Sequence, residues 1–159
     1  FEMASMCVEI QTTRAIAQQL LRHRSFSFQE FSQRYAVATE IERITPRRQD
    51  PHNRQLSSAD LDACIIKQFQ TTQERLYRLS LDAYNSALEV GVARESARFL
   101  LPLACLTKLY MHGTIRSWIH YLEARTTPET QLEHRTLALE IKEIFNKEFP
   151  VIARTLESV

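Results

Sequence analysis

Apolar residues along this chain recur mostly at helical spacing, with one clear stretch that alternates instead. Ile16, Ala17, Leu20 and Leu21 predict a helix over 12–23, after a weakly alternating strand over 3–10. The longest stripe runs through Leu61, Cys64, Ile65, Phe69, Leu76, Leu79, Ala83 and Leu88. It predicts a core helix over 58–89, opened by a Ser57–Asp60 capping box and stopped at Gly91, with room for a break at Thr72 and Gln73. A short helix over 94–101 ends at Pro102. Thr107, Leu109 and Met111 then alternate with Lys108, Tyr110 and His112, which predicts a strand over 103–112 broken by Gly113. Thr114 can cap a helix over 115–123 with Ile115, Trp118, Ile119 and Leu122 facing the core. Leu137, Ile141, Ile144 and Phe145 mark a last helix from Thr127 or Pro128 to Pro150.

Between these elements the pattern lapses. Residues 41–57 are polar and hold Pro46 and Pro51, so a loop is expected, with Arg47, Arg48 and Arg54 either solvated or guarding a ligand entrance. Ser27 and Glu30 have capping-box spacing and predict one helical turn near Phe28. Residues 35–39 can form a strand. The sum is a helix-rich α+β single domain over 1–159, without internal repeats.

Composition narrows the class. The 159 residues are 44% hydrophobic and 25% charged, with a net charge of +1. That fits a globular domain and argues against a general nucleic-acid coat. No apolar run reaches the ~18 residues of a membrane span. Three cysteines without a CxxC pair, in apolar segments, read as free buried thiols in a reducing, cytoplasmic setting. Two glycines exclude a Gly-rich phosphate loop. The chain opens on Phe1 rather than Met, so a preceding segment is expected to be missing.

Chemistry concentrates at Arg22-His23-Arg24-Ser25-Phe26-Ser27-Phe28-Gln29-Glu30-Phe31-Ser32-Gln33-Arg34-Tyr35. This is either a solvated basic turn or an anion pocket in which guanidinium groups and hydroxyls converge on phosphate. Arg98 stands in an apolar segment, and Arg116 and Arg125 follow later. His120 and Glu123 form one weak pair, short of the three or four ligands a metal needs, so no metal is expected. Ser32 has no base at triad spacing.

Arg22-His23-Arg24, seven residues and Ser32 match the RHR-x7-S motif of flavin-dependent thymidylate synthases, and Gln33-Arg34-Tyr35 extends the match. Glu95 to Leu103 resembles that family's second block. Arg116-Ser117 and Arg125, with Gln131 and Glu133, resemble its third, and Phe1-Glu2 the tail of its first. The resemblance implies the family's fold, with a small, mostly antiparallel sheet. It also implies FAD chemistry: a methylene group passes from 5,10-methylenetetrahydrofolate to dUMP, NADPH re-reduces the flavin, and no enzyme nucleophile attacks the pyrimidine.

By the same resemblance, Arg22, His23, Arg24, Glu30, Thr114, Ile115, Arg116 and His120 contact FAD. Gln19, Arg22, Glu30, Phe31, Ser32, Gln33, Arg34, Arg98 and Arg125 bind dUMP, with Arg34 and Arg98 on phosphate. Arg125 lies beside the uracil ring and Ser32 positions the reacting carbon. A homotetramer with shared active sites is implied. Met3, Thr114, His120 and Glu129 depart from the family's usual residues. Two other classes stay open here: a paralogue that binds flavin or nucleotide without turnover, and a nucleic-acid-binding protein, which the balanced charge disfavours.

Overall fold

A single long strand, β5 (Leu106–Thr114), is the axis of the molecule. Its buried positions Thr107, Leu109, Met111 and Gly113 alternate with wetter ones, as the sequence pattern predicts. β1 (Ser5–Thr13) pairs with it antiparallel along its full length, from Ser5 opposite Thr114 to Thr13 opposite Leu106. β2 (Ser27–Glu30) pairs antiparallel on the other side, giving the order β1-β5-β2. The computed structural model describes residues 1–35 and 40–157. The strand expected at 35–39 therefore falls outside the described residues, except for Tyr35, which sits in a turn.

Two sequence expectations fail on this sheet. Gly113 does not break β5 but continues it, because a Cβ there would lie 2.5 Å from the Phe26 ring. The glycine makes room for an aromatic. Ser27 and Glu30 do not start a helical turn. Phe28 packs on the core while Ser27 and Gln29 face outward, and tertiary pairing overrides the local capping signal. The stretch therefore lacks the helix N-terminus that would gather its N–H groups on an anion.

One face of the sheet carries the core. α1 (Arg14–Leu20), shorter than predicted and capped by Thr13, buries Ile16, Ala17 and Leu20. α4 (Ile115–Arg125) starts at the Thr114 cap as predicted and buries Ile115, Trp118, Ile119, Tyr121 and Leu122. Trp118 Nε1 donates to the Met6 carbonyl at 3.0 Å, which ties α4 to β1. α5 (Leu132–Glu148) begins five residues later than Thr127 and buries His134, Ala138, Ile141 and Phe145. α5 stops at Glu148, just ahead of Pro150 as predicted, and Pro150 opens a further helix, α6 (Pro150–Glu157), at the first helical position that suits proline.

The remaining elements form an arm. The expected loop at 41–57 contains a two-residue hairpin, β3 (Arg48–Gln49) with β4 (Ser57–Ser58). Its pairing removes Ser57 and Ser58 from the helix start, and Asp62 caps α2 (Ala63–Glu89) instead. α2 runs without a break at Thr72 and Gln73, since Gln73 turns inward and bonds the Ile44 backbone. It is followed by α3 (Arg94–Ala97) and a 3₁₀ turn, Arg98–Leu100, in place of one helix. α2 is not the core helix its stripe predicts: Ile65, Phe69, Leu76 and Leu79 are 44–65% exposed, and Gln73 and Tyr84 are its buried residues. Of the three cysteines, Cys105 alone is buried, and burial raises its thiol pKa. No helix among the described residues is long and apolar enough to cross a membrane.

Candidate active site

Three pieces of chain deliver polar side chains to one end of the core. Buried Leu20 and Ala17 fix α1, and Gln19 between them reaches the start of α5. The chain then turns, with His23 N–H donating to the Leu20 carbonyl at 2.9 Å. This sets the His23 ring edge-on against Tyr121 of α4, centroids 5.0 Å apart. One helical turn on, Arg125 Nε donates to His23 Nε2 at 3.0 Å. A guanidinium only donates, so the His23 proton sits on Nδ1. Burial first, and the Arg125 charge second, hold the His23 pKa below its ordinary value.

A polar chain runs from there through the protein. Tyr121 hydroxyl and His134 Nε2 are 3.2 Å apart, and His134 Nδ1 lies 3.1 Å from Gln19 Oε1. Gln19 Nε2 donates to Gln131 Oε1 at 2.6 Å, and Gln131 Nε2 to Glu133 Oε2 at 2.9 Å. Arg47 closes the chain with a fork onto both Glu133 oxygens at 2.7 and 3.0 Å. Burial alone would raise the Glu133 pKa, but the hydrogen bond from Arg47, with help from backbone and Gln131, prevails and lowers it. Burial, then the charges of Arg125 and His23, push His134 down to about 4. Burial pushes Tyr121 up. Gln19, Arg125 and Gln131 line a cavity of about 490 Å³, together with Arg54 and Gln55 of the hairpin connection.

A second group gathers elsewhere. Arg34 N–H bonds Ser32 Oγ at 3.3 Å, and its guanidinium reaches Glu95 of α3 at 3.3 Å. Arg94 donates to the Tyr35 carbonyl at 2.9 Å, so the turn at 32–35 docks on α3. Arg98 opens the next turn, with its guanidinium over the Phe99 ring. Gln33 is buried, and its Nε2 has no hydrogen-bond partner among the described residues. Phe31 is exposed and lines a cavity of about 300 Å³ with Ser32, Tyr35 and Tyr110. Among the described residues no hydrogen bond or ion pair joins this group to the Gln19–Arg125 group.

The other predicted residues are dispersed. Glu30 is engaged from within, by Arg14 at 3.3 Å and the Thr107 hydroxyl at 2.9 Å. Arg22 and Arg24 lie exposed on the turn, without an ion pair among the described residues. Thr114 spends its hydroxyl on the α4 cap, and Ile115 is fully buried with its N–H on the Ala4 carbonyl. Arg116 pairs with Glu2 at 3.1 Å. His120 and Glu123 are 3.7 Å apart on the surface, and among the described residues no metal-binding group of three forms.

The order of these elements matches known proteins. The profile of the family described as "Thymidylate synthase complementing protein" matches residues 1–151. The chain belongs to this family. It is 53% identical over 157 residues to the flavin-dependent thymidylate synthase of Synechocystis sp., covering 99% of this chain and 73% of that one. It is also 53% identical to the probable flavin-dependent thymidylate synthase of Paramecium bursaria Chlorella virus 1, covering 100% and 74%. The fold is shared with the crystal structure of the UMP/dUMP methylase PolB from Streptomyces cacaoi bound with 5-Br dUMP, at a TM-score of 0.83 and 24% identity over 97% of this chain and 70% of that one.

For this family member, the sequence motif found Gln19, His23 and Arg125, which the fold brings together. It missed Tyr121 and His134, and Arg47, expected to be solvated or to guard an entrance, is instead sheltered on Glu133. His134 carries a signal in hindsight: with Ala138, Ile141 and Phe145 it stands on the buried stripe of α5. An imidazole there needs partners.

Proposed function

We propose that this chain is an FAD-dependent thymidylate synthase that methylates dUMP to dTMP, with 5,10-methylenetetrahydrofolate and NADPH as co-substrates. The contact of Arg125 with His23, with Arg125 and Gln19 lining one cavity, carries the reading. It puts the flavin-side motif and the uracil-side arginine in touch across 102 residues of sequence. When bound, FAD supplies the hydride carrier of the reaction.

The chain's own groups suit this chemistry. Arg22 and Arg24, without an ion pair among the described residues and with a neutral His23 between them, are a donor set for a diphosphate. The α4 N-terminus, with Thr114, Ile115, Arg116 and His120, completes the flavin side in this reading. Arg125 favours the ionised, more nucleophilic pyrimidine. Arg34 and Arg98 take the nucleotide phosphate, with Gln33, Phe31 and Glu30 around it. Ser32 has no base within hydrogen-bond reach among the described residues, which supports a positioning role over a nucleophilic one.

The single chain leaves two things open that a homotetramer would close. The α2 stripe is apolar and wet, and the phosphate-side arginines are not joined to the uracil-side group. Sites shared between subunits account for both. Residues 1–159 act as one domain in this reading, in the cytoplasm, on a small nucleotide rather than on nucleic acid.

The test is direct. Purified protein should be yellow and bleach with NADPH. Arg125→Ala should keep the flavin spectrum and lose dTMP formation by about 10²–10³-fold. Colourless protein that FAD cannot reconstitute would refute the flavin, and normal dTMP formation by the variant would refute the role of Arg125.

A further inference from the structure

Backbone and ring of His23 are both held. Its N–H donates to the Leu20 carbonyl at 2.9 Å, and its carbonyl accepts from the Phe26 N–H at 3.1 Å. Its ring stands edge-on to three others, with centroids 5.0 Å away for Tyr121, 6.2 Å for His134 and 6.4 Å for Phe26. Phe26 in turn occupies the space that a Cβ on residue 113 would need. The bare Nε2 of His23 therefore points in a set direction, and Arg125 Nε donates to it at 3.0 Å. A guanidinium is planar and carries five N–H groups. This bond uses one of them. Among the described residues no hydrogen bond or ion pair takes the four on Nη1 and Nη2, and Arg125 lines the cavity of Gln19.

We propose that His23 is a positioning residue for Arg125: its bare Nε2 restrains the guanidinium plane, so that Nη1 and Nη2 meet the pyrimidine as a pair of donors for its ionised form. The inference rests on the reading of Arg125 as the arginine beside the uracil ring. Without the bond to His23, the guanidinium ends a long side chain with several free rotations, and ordering it opposes nucleotide binding. With the bond, the donors stand in place before the nucleotide arrives, and donors placed in advance are those that favour negative charge. The requirement on His23 is strict. A proton on Nε2, in the other neutral tautomer or in the imidazolium, would set donor against donor at 3.0 Å and turn Arg125 away. Nδ1–H has no partner among the described residues, so one nitrogen of the ring can serve the flavin while the other serves Arg125.

The experiment compares dUMP with 5-fluoro-dUMP as ligands of the flavin-loaded enzyme, with no folate present. Fluorine makes the ring N–H more acidic, so at pH 8 the fluorinated nucleotide is the more ionised of the two and reports the preference for the anion. Wild type should bind it more tightly than dUMP. In His23→Asn the shorter carboxamide reaches the place of Nδ1 and leaves that of Nε2 empty. This variant should bind 5-fluoro-dUMP about tenfold more weakly and lose most of the preference, with the flavin spectrum unchanged. His23→Gln brings an oxygen near the place of Nε2 and should restore most of it. Arg125→Ala should abolish the preference, and adding His23→Asn to it should change the ratio no further. A merely structural or flavin-holding role for His23 would weaken both nucleotides alike. A wild-type ratio in flavin-loaded His23→Asn would therefore overturn the proposal and leave the thymidylate synthase reading intact. If that variant does not retain flavin, the imidazole nitrogen-15 shifts of the wild-type enzyme decide. They should show the His23 proton on Nδ1 and a bare Nε2 whose signal moves in Arg125→Ala, whereas a proton on Nε2 overturns the proposal. A wild-type enzyme that does not prefer the fluorinated nucleotide would overturn the role of Arg125 itself.

Discussion

The sheet with α1, α4 and α5 and the arm built on α2 solve the same problem differently. In the first, most of the apolar surface has a partner in the same chain, although Leu139 and Ile144 of α5 stay 44% exposed. Trp118, Leu20, Leu109 and Ile141 are all at or near zero exposure. α2 is longer than any of these helices and has two apolar faces. One, with Tyr77, Leu81 and Tyr84, lies toward the 40–44 segment and β5, where a cavity of about 570 Å³ remains. The other, with Ile65, Phe69, Leu76 and Leu79, meets water. A helix apolar on both sides is built to be covered on both sides. The lesson concerns the site: Gln19, His23 and Arg125 stand on the self-sufficient half, whereas Arg98 belongs to the arm and Arg34 reaches it through Glu95.

The largest effect expected follows from that division. Phe69→Glu with Leu79→Glu places two charges in the exposed stripe. The proposed homotetramer should then appear as monomers in light scattering, and dTMP formation should vanish with it. The core should not notice. Trp118 is the sole tryptophan and is fully buried, so its fluorescence and near-ultraviolet signal should match wild type. An intact tetramer in this variant would break the comparison, and a lost tryptophan signal would show that the halves are not independent.

Acid separates the halves in the other direction. α2 carries no histidine, whereas the core holds His134 and His23, both with depressed pKa values. In the unfolded chain His134 takes a proton below about 6.5, but in the fold it refuses one until about 4. The unfolded state therefore binds more protons across that window, and stability falls as pH drops through it. His134 alone should cost on the order of 3 kcal/mol by pH 4, and nothing above pH 7. Urea melts at pH 7.5 and 4.5 measure this. His134→Asn should flatten the dependence, and an unchanged slope would mean that His134 is not the buried neutral group described.

How much of this was legible in the sequence follows the same line. Elements that face one core were readable: β5 from its alternation, α4 from its cap and stripe, α1 from Ile16 and Leu20. The errors came where tertiary partners outweigh local signals. Ser27 and Glu30 look like a capping box until β5 claims the strand, and Gly113 looks like a breaker until Phe26 is seen against it. The α2 stripe was correctly read as apolar and wrongly assigned to this chain's core, because periodicity reports that a face is buried and not by whom. At the site, the motif named Gln19, His23 and Arg125, which the fold brings to one end of the core. It was silent on those that hold them, Tyr121, His134 and Arg47, whose meaning depends on contacts made far along the chain.

The smallest expected effect contrasts two arginines of similar chemistry. Arg43 bonds Glu74 of α2 at 2.7 Å, and Arg47 bonds Glu133 of α5 at the same distance. The first pair is 72% and 55% exposed, the second 18% and 18%. An exposed pair trades one set of water contacts for a constrained ion pair, so its net effect is slight and fades with salt. A sheltered one leaves a stranded carboxylate when its partner goes, at a cost of about 2 kcal/mol. Arg43→Ala should therefore leave the urea midpoint within replicate scatter at 0.5 M salt, while Arg47→Ala lowers it clearly. Were Arg43→Ala the more damaging, the segment beside α2 would be bound to the arm more firmly than exposure allows. The division into a self-sufficient half and a dependent one would then have to be redrawn through residue 43.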